Sequence, residues 1–104
     1  MKQIKVIRPV KENMMNAGKI IRVEAISNYS RIYFNDGRSL VLARVLQWFE
    51  DSLPAEMFTR VHRSHLVNKQ FVKAINGRKT KIILLNNGEN VVVSWRRKRL
   101  VALL

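Results

Sequence analysis

Three short turn signals, Asn35-Asp36-Gly37, Asn76-Gly77 and Asn86-Asn87-Gly88, punctuate the chain between short apolar runs. Asn-Gly and Asp-Gly readily adopt the positive φ that tight two-strand turns require, so their recurrence between apolar runs predicts hairpins. The runs around them, residues 4–8, 20–26, 30–34, 38–42, 58–61, 71–75, 81–85 and 91–93, are rich in β-branched and aromatic side chains. Several alternate polar with apolar. In 30–34, Ile32 and Phe34 should face a core while Arg31 and Tyr33 face outward, as the two-residue period of a strand dictates. The expectation is a mainly β fold of antiparallel strands with one wet sheet face.

Two segments follow a helical period instead. Over residues 42–53, Leu42, Val45, Leu46, Phe49 and Leu53 recur at i, i+3, i+4, i+7 and i+11, and Pro54 ends the run. Residues 95–104 form the second predicted helix, with Ser94 as its N-cap and Leu100, Leu103 and Leu104 available to pack. Its first turns carry Arg96, Arg97, Lys98 and Arg99. Cations oppose the dipole at a helix N-terminus, so four of them there point to an anion nearby, the alternative being a solvated basic helix face. Length fits a single domain over residues 1–104, of which 1–17 form the least defined part.

Charge is the most informative part of the composition. Twenty Lys and Arg stand against seven Asp and Glu, a net +13. From Arg60 onward there are eleven basic residues and one acidic one, Glu89, whereas the first 59 residues carry only +3. Such self-repulsion opposes folding, and the usual reason to carry it is an anionic partner, with a generically basic soluble surface as the alternative. Nucleic acid leads, with an anionic membrane surface behind it. The 47% apolar content is ordinary for a folded domain, and no uninterrupted apolar stretch approaches the length of a signal peptide or membrane span. A soluble, cytoplasmic protein without cofactor is expected.

Catalytic chemistry finds little support. There is no cysteine, so thiolate metal sites and cysteine nucleophiles are excluded by inventory. His62 and His65 flank Ser64, but Arg60, Arg63 and Lys69 crowd them with positive charge, and no carboxylate follows until Glu89. The carboxylates Glu24, Asp36, Glu50, Asp51 and Glu56 are dispersed, not clustered as a metal-dependent nuclease needs. No Gly-rich phosphate loop or nucleophile elbow occurs. The reading is therefore non-enzymatic.

The same residues suit recognition. Arg63, in a tight turn beside His62, can offer its guanidinium fork to guanine O6 and N7, and Asn28 can bridge adenine N6 and N7. Asn28 could equally stabilise its own turn, and His62 could be a hydrogen-bonded structural histidine.

Ile21-Arg22-Val23-Glu24-Ala25, then Asn28-Tyr29, then Phe58-x-Arg60-Val61-His62-Arg63-Ser64-x-x-Val67-Asn68, then Val93-Ser94 with trailing basic residues, resemble the LytTR family of DNA-binding domains. The ordered match covers roughly residues 18–104, and its central stretch is the most specific part. The resemblance implies elongated, packed antiparallel sheets with two short helices, acting as the output module of bacterial transcription regulators. It further implies that loops, not a recognition helix, enter successive major grooves at direct-repeat promoter elements. Base contacts are thereby expected from Ser30 or its neighbours Asn28 and Tyr29, from Arg63 with His62, and from Arg96. Arg31, Lys69, Arg97, Lys98 and Arg99 are the expected phosphate contacts, which position a protein without reading sequence. The implied partner is double-stranded DNA, bound by a chain that is monomeric in solution and pairs in tandem on its operator. A sequence-tolerant RNA or single-strand binder, stacking bases on Tyr29, Tyr33 and Trp95, is the alternative.

Overall fold

The computed structural model describes residues 17–97, built from two antiparallel sheets and one short helix. Strands β1 (Ile20–Ile26), β2 (Tyr29–Phe34) and β3 (Ser39–Leu42) form a meander joined by the turns after Ile26 and Phe34. Helix α1 (Leu46–Ser52) follows, then β4 (Phe58–His62) and β5 (His65–Asn68). After a 3-10 turn, Lys69–Phe71, come β6 (Val72–Asn76), β7 (Ile82–Leu85) and β8 (Asn90–Val92), and a second 3-10 turn at Trp95–Arg97. The first sheet has the order β3-β2-β1-β5-β4 and the second the order β6-β7-β8. The principal extents of 41 × 25 × 22 Å make the molecule elongated.

The β1, β4 and β5 part of the central sheet is covered on both faces, whereas β2 and β3 keep one wet face. On one side Leu46, Phe49 and Leu53 of the helical segment join Ile20, Val23, Ile32 and Leu66 in a continuous core. On the other, Val61, Val67 and Ile21 meet Ile83, Leu85, Val91 and Val93 from the second sheet. β5 thus buries consecutive residues, Leu66 and Val67, in opposite cores. This is why β5 escapes a sequence reading. A strand covered on both faces loses polar–apolar alternation, and residues 65–68, to which the sequence assigned no element, form a strand inside the sheet between β1 and β4. Phe49, wholly enclosed, contributes about 2–3 kcal/mol by burial alone.

The other predicted strands within the described residues appear, with boundaries shifted by at most one residue, and Ile32 and Phe34 face inward as expected. The first predicted helix is shortened. Leu42 ends β3, paired with Ser30, and α1 begins only at Leu46 behind an extended Val45 that offers no side-chain cap. The Ser30 hydroxyl holds the Arg44 carbonyl at 2.7 Å, so the chain is pinned to the sheet before it can coil. Leu42 still joins the same core as Leu46 and Phe49; the period found the correct face but not the element. Of the second predicted helix, residues 95–97 form a 3-10 turn, and 98–104, like the strand expected at 4–8, lie outside the described residues.

Two polar residues hold the frame together. Asn68, fully buried, donates from its amide to the Ile20 carbonyl at 2.9 Å and accepts from the Gln70 N–H at 2.9 Å, locking β5 to the start of β1. Arg22 grips Glu89 with Nε–Oε1 and Nη2–Oε2 distances of 3.0 and 3.2 Å, clipping the β7–β8 turn to β1. The hydrogen bonds from Arg22 hold the Glu89 carboxyl below the usual carboxylate range.

Candidate nucleic-acid interface

Hydrogen bonds, all but one between backbone groups, set five connecting segments side by side along one end of the molecule. The β1–β2 turn is a two-residue link, Ser27 and Asn28, between the paired Ile26 and Tyr29. Ser27 sits at φ 56°, a left-handed conformation that favours glycine, so the turn is held under strain. Beside it runs the β4–β5 turn, another two-residue link, Arg63 and Ser64, between the paired His62 and His65. The Ala25 N–H donates to the Ser64 carbonyl at 2.9 Å and joins the two turns. Next comes the segment 94–97, because the Ser94 N–H donates to the Val61 carbonyl at 2.8 Å. The loop 77–81 is adjacent in turn, through the bond of 3.0 Å from the Val93 N–H to the Lys81 carbonyl. At the other flank, Ser30 ties residues 43–45 beside the first turn.

Charge is sorted by this geometry. The five segments contain Arg44, Arg63, Arg96, Arg97, Arg78, Lys79 and Lys81 and no carboxylate. Asp36 in the β2–β3 turn, Glu56 ahead of β4 and Glu89 in the β7–β8 turn lie at the opposite end, while Glu24 and Glu50, behind the row, are engaged by Tyr33 and Arg60. With low-dielectric walls behind it, such a row concentrates positive potential where the loops project.

The β4–β5 turn is the most rigidly built part. Arg60, with only 12% of its side chain exposed, donates from Nε to the His62 carbonyl at 3.1 Å and from Nη2 to the Arg63 carbonyl at 2.5 Å. Its Nη1 donates to Glu50 Oε1 of α1 at 2.8 Å. A single guanidinium thus braces both carbonyls of the turn against the helix. A register shift between Arg60 and His62 leaves Val61 buried in the second core while the turn residues reach outward. His62 Nδ1 accepts the Ser64 N–H at 3.0 Å, so the neutral ring carries its proton on Nε2. Arg63 itself is exposed. Between this turn and the segment 94–97 lies an open cleft of about 460 Å³, lined by His62, Arg63, Ser94, Trp95, Arg96 and Arg97.

Below the turn, the His65 ring lies 5.2 Å from that of His62, between centroids, and opposite Glu24 in the β1–β5 ladder. Burial pushes its pKa below the ordinary 6.5, and the nearby His62 and Arg22 push the same way against Glu24. Its Nδ1 is the one enclosed side-chain polar atom without a hydrogen-bond partner among the described residues.

The sequence-derived contact residues therefore divide. Asn28, Tyr29, Arg63 and Arg96 are exposed on the row, and His62 is half-buried on it with Nε2 as its remaining nitrogen. Ser30 requires correction: its side chain is fully enclosed and its hydroxyl is spent on the Arg44 carbonyl, which leaves no surface for a base. Arg31 is half-buried within β2, cross-strand from Glu24. Arg97 is half-buried, and its Nη1 donates to the Arg60 carbonyl at 3.3 Å, so it braces the same turn. Lys69 lies away from the others, at the far end of the β4–β5 hairpin, where its N–H donates to the Met57 carbonyl at 2.8 Å. Lys98 and Arg99 lie outside the described residues. Tyr33 is a poor stacking platform, since the Arg22 guanidinium covers its ring at 3.8 Å and its hydroxyl donates to Glu24 at 3.0 Å. Sequence reasoning missed the bracing role of Arg60, although Arg60 stands inside the quoted motif. It also missed the loop 77–81, whose three cations in five residues were visible but whose neighbours were not. Among the described residues, no group of three or more potential metal ligands occurs, and no helix is long and apolar enough to cross a membrane.

An acid-free row of loops on an antiparallel β scaffold defines a protein built to meet a polyanion. The chain belongs to the LytTR family, the LytTr DNA-binding domain, which matches over residues 11–104. Among solved structures it is similar to the LytTr DNA-binding domain of a Bacillus cereus protein described as a methyl-accepting/DNA response regulator. The two are 30% identical with a TM-score of 0.74, over 81% of this chain and 78% of that one. None of the curated proteins compared with it matches.

Proposed function

We propose that the chain binds double-stranded DNA sequence-specifically, as a bacterial transcription regulator or its output domain, reading direct-repeat promoter elements with loops in the major groove. The observation that carries this reading is the acid-free row on which Arg63 and Arg96 stand exposed beside the braced β4–β5 turn. The helix offers no competing surface: α1 contains Glu50 and Asp51, no Lys or Arg, and buries Leu46 and Phe49. A helix of that charge would be repelled from a groove. Five strands at about 4.8 Å spacing make the end of the central sheet about 19 Å wide. That exceeds the roughly 12 Å of one major groove, which suits loops that address the duplex at more than one place. Arg63 and Arg96 present forks to guanine edges, with Asn28, Tyr29 and His62 Nε2 beside them. Arg31, Arg97, Lys98 and Arg99 supply charge to phosphates. No step of this function requires a reaction, a metal or a cofactor.

Enrichment from a randomised duplex pool, followed by titration of the winner against a scrambled duplex, tests the proposal. A repeated motif bound on the order of 10³-fold above the scrambled sequence supports it. Absence of any motif, with equal binding to single strands that Tyr29→Ala abolishes, would instead establish the stacking alternative, which retains Tyr29 and Trp95 as exposed aromatic rings.

A further inference from the structure

The loop 77–81, Gly77-Arg78-Lys79-Thr80-Lys81, carries three cations in five residues, and no sequence motif assigns them a task. Its position does. Lys81 accepts from Val93 at 3.0 Å, and the next residue, Ser94, donates to Val61 beside the β4–β5 turn. The loop is therefore the immediate neighbour of the segment carrying Arg96, at the outer end of the row. Arg78 and Lys79 are exposed, and no ion pair involves them among the described residues. The carboxylates that could have neutralised them, Asp36, Glu56 and Glu89, occupy turns at the other end of the molecule. The loop is also shaped. Gly77 has φ +101°, and a Cβ there would lie 1.9 Å from the Thr80 carbonyl oxygen, so the chain doubles back and presents its cations on a compact turn.

We infer that residues 77–81 form a phosphate-gripping arm, in which Arg78 and Lys79 engage the DNA backbone flanking the bases faced by Arg63 and Arg96. The inference rests on the duplex-binding reading above and adds an edge to its footprint. A backbone phosphate fits the chemistry, because the loop offers point charges and a guanidinium fork but no apolar side chain to enter a bilayer or an apolar protein surface. Contacts of this kind add affinity for every sequence alike and leave the ratio between sequences unchanged.

The test compares the chain with its Arg78→Gln/Lys79→Gln variant in titrations of the selected duplex and of a scrambled one across a salt series, with hydroxyl-radical footprinting at each end point. Two lost phosphate contacts should lower the slope of log K against log salt by about 1.8 and, taking parity at 1 M, weaken both duplexes roughly 60-fold at 0.1 M salt. Protection should retract at one edge of the site. The swap Arg78→Lys/Lys79→Arg should keep the slope. A matched pair at the opposite end, Lys19→Gln/Lys73→Gln, both exposed, should also keep it. An unchanged slope and footprint for the Gln pair, or an equal loss of slope from the opposite-end pair, would overturn the inference while leaving duplex binding intact. Failure of the unaltered chain to bind either duplex would overturn the underlying reading, and with it the arm.

Discussion

Removing the Arg60 guanidinium should damage both stability and recognition, by amounts that the local geometry bounds. Its two bonds to the His62 and Arg63 carbonyls are charge-assisted, a class that contributes about 1.5–3 kcal/mol each. Both carbonyls lie in a surface turn and can be rehydrated, which favours the lower figure, so the pair contributes about 3 kcal/mol. The ion pair with Glu50 adds little more, about 0.5 kcal/mol, because the Glu50 side chain is 35% exposed and screened. Arg60→Ala is therefore expected to lose about 3–4 kcal/mol in urea unfolding, and Glu50→Gln, which keeps an acceptor, about 0.5 kcal/mol. Recognition should suffer through disorder. Ordering two turn residues on binding costs about 2–3 kcal/mol, so preference for the selected over the scrambled duplex should fall roughly 30-fold or more, with the salt slope unchanged. Arg60→Lys retains the charge but not the fork and should restore little of the preference. An Arg60→Ala protein within 1 kcal/mol of the unaltered chain and equally selective would refute the argument that this side chain builds the turn.

Asn68→Ala should destabilise the fold by about 2–4 kcal/mol in the same denaturant assay, since it strands the buried Ile20 carbonyl and frees the Gln70 N–H; a loss under 1 kcal/mol would mean the ladder closes without it. His65 predicts a pH dependence. Its folded pKa lies below the unfolded 6.5, so the unfolded chain binds the extra proton, and stability should fall as pH drops through about 6.5. The decline should level off below the folded value, and His65→Phe should flatten this part of the profile in thermal melts from pH 8 to 5. Gly77→Ala should cost about 1–3 kcal/mol or force the loop to reopen, because the new Cβ would strike the Thr80 carbonyl. At Gly37, where no atom lies within 4 Å, the same change should cost only the backbone strain of about 1–2 kcal/mol. Equal costs at both positions would show that the close approach contributes nothing.

What the amino-acid sequence determined by itself was the chemistry that acts over a few residues. Turn residues with positive φ marked three of the five hairpins among the described residues, alternation marked β2, and the excess of Lys and Arg after residue 59 marked a polyanion as partner. The Phe58 to Asn68 motif identified the family, and placed Arg63 in a turn where the structure also exposes it. Tertiary structure alone decided which turns are neighbours. β5 pairs with β1 across more than forty residues, Arg22 to Val67, and a strand buried on both sides leaves no periodic trace. The bonds from Ser94 to Val61 and from Val93 to Lys81 gather the loops into one row, and no local signal encodes such pairings. Ser30 shows the limit most plainly. A serine beside a predicted contact loop reads as a polar donor, yet its role depends on a carbonyl fourteen residues away that turns it inward. Propensity and charge are properties of a short stretch of chain, whereas the side on which a group finishes, and what it finds there, is fixed only when distant strands close around it.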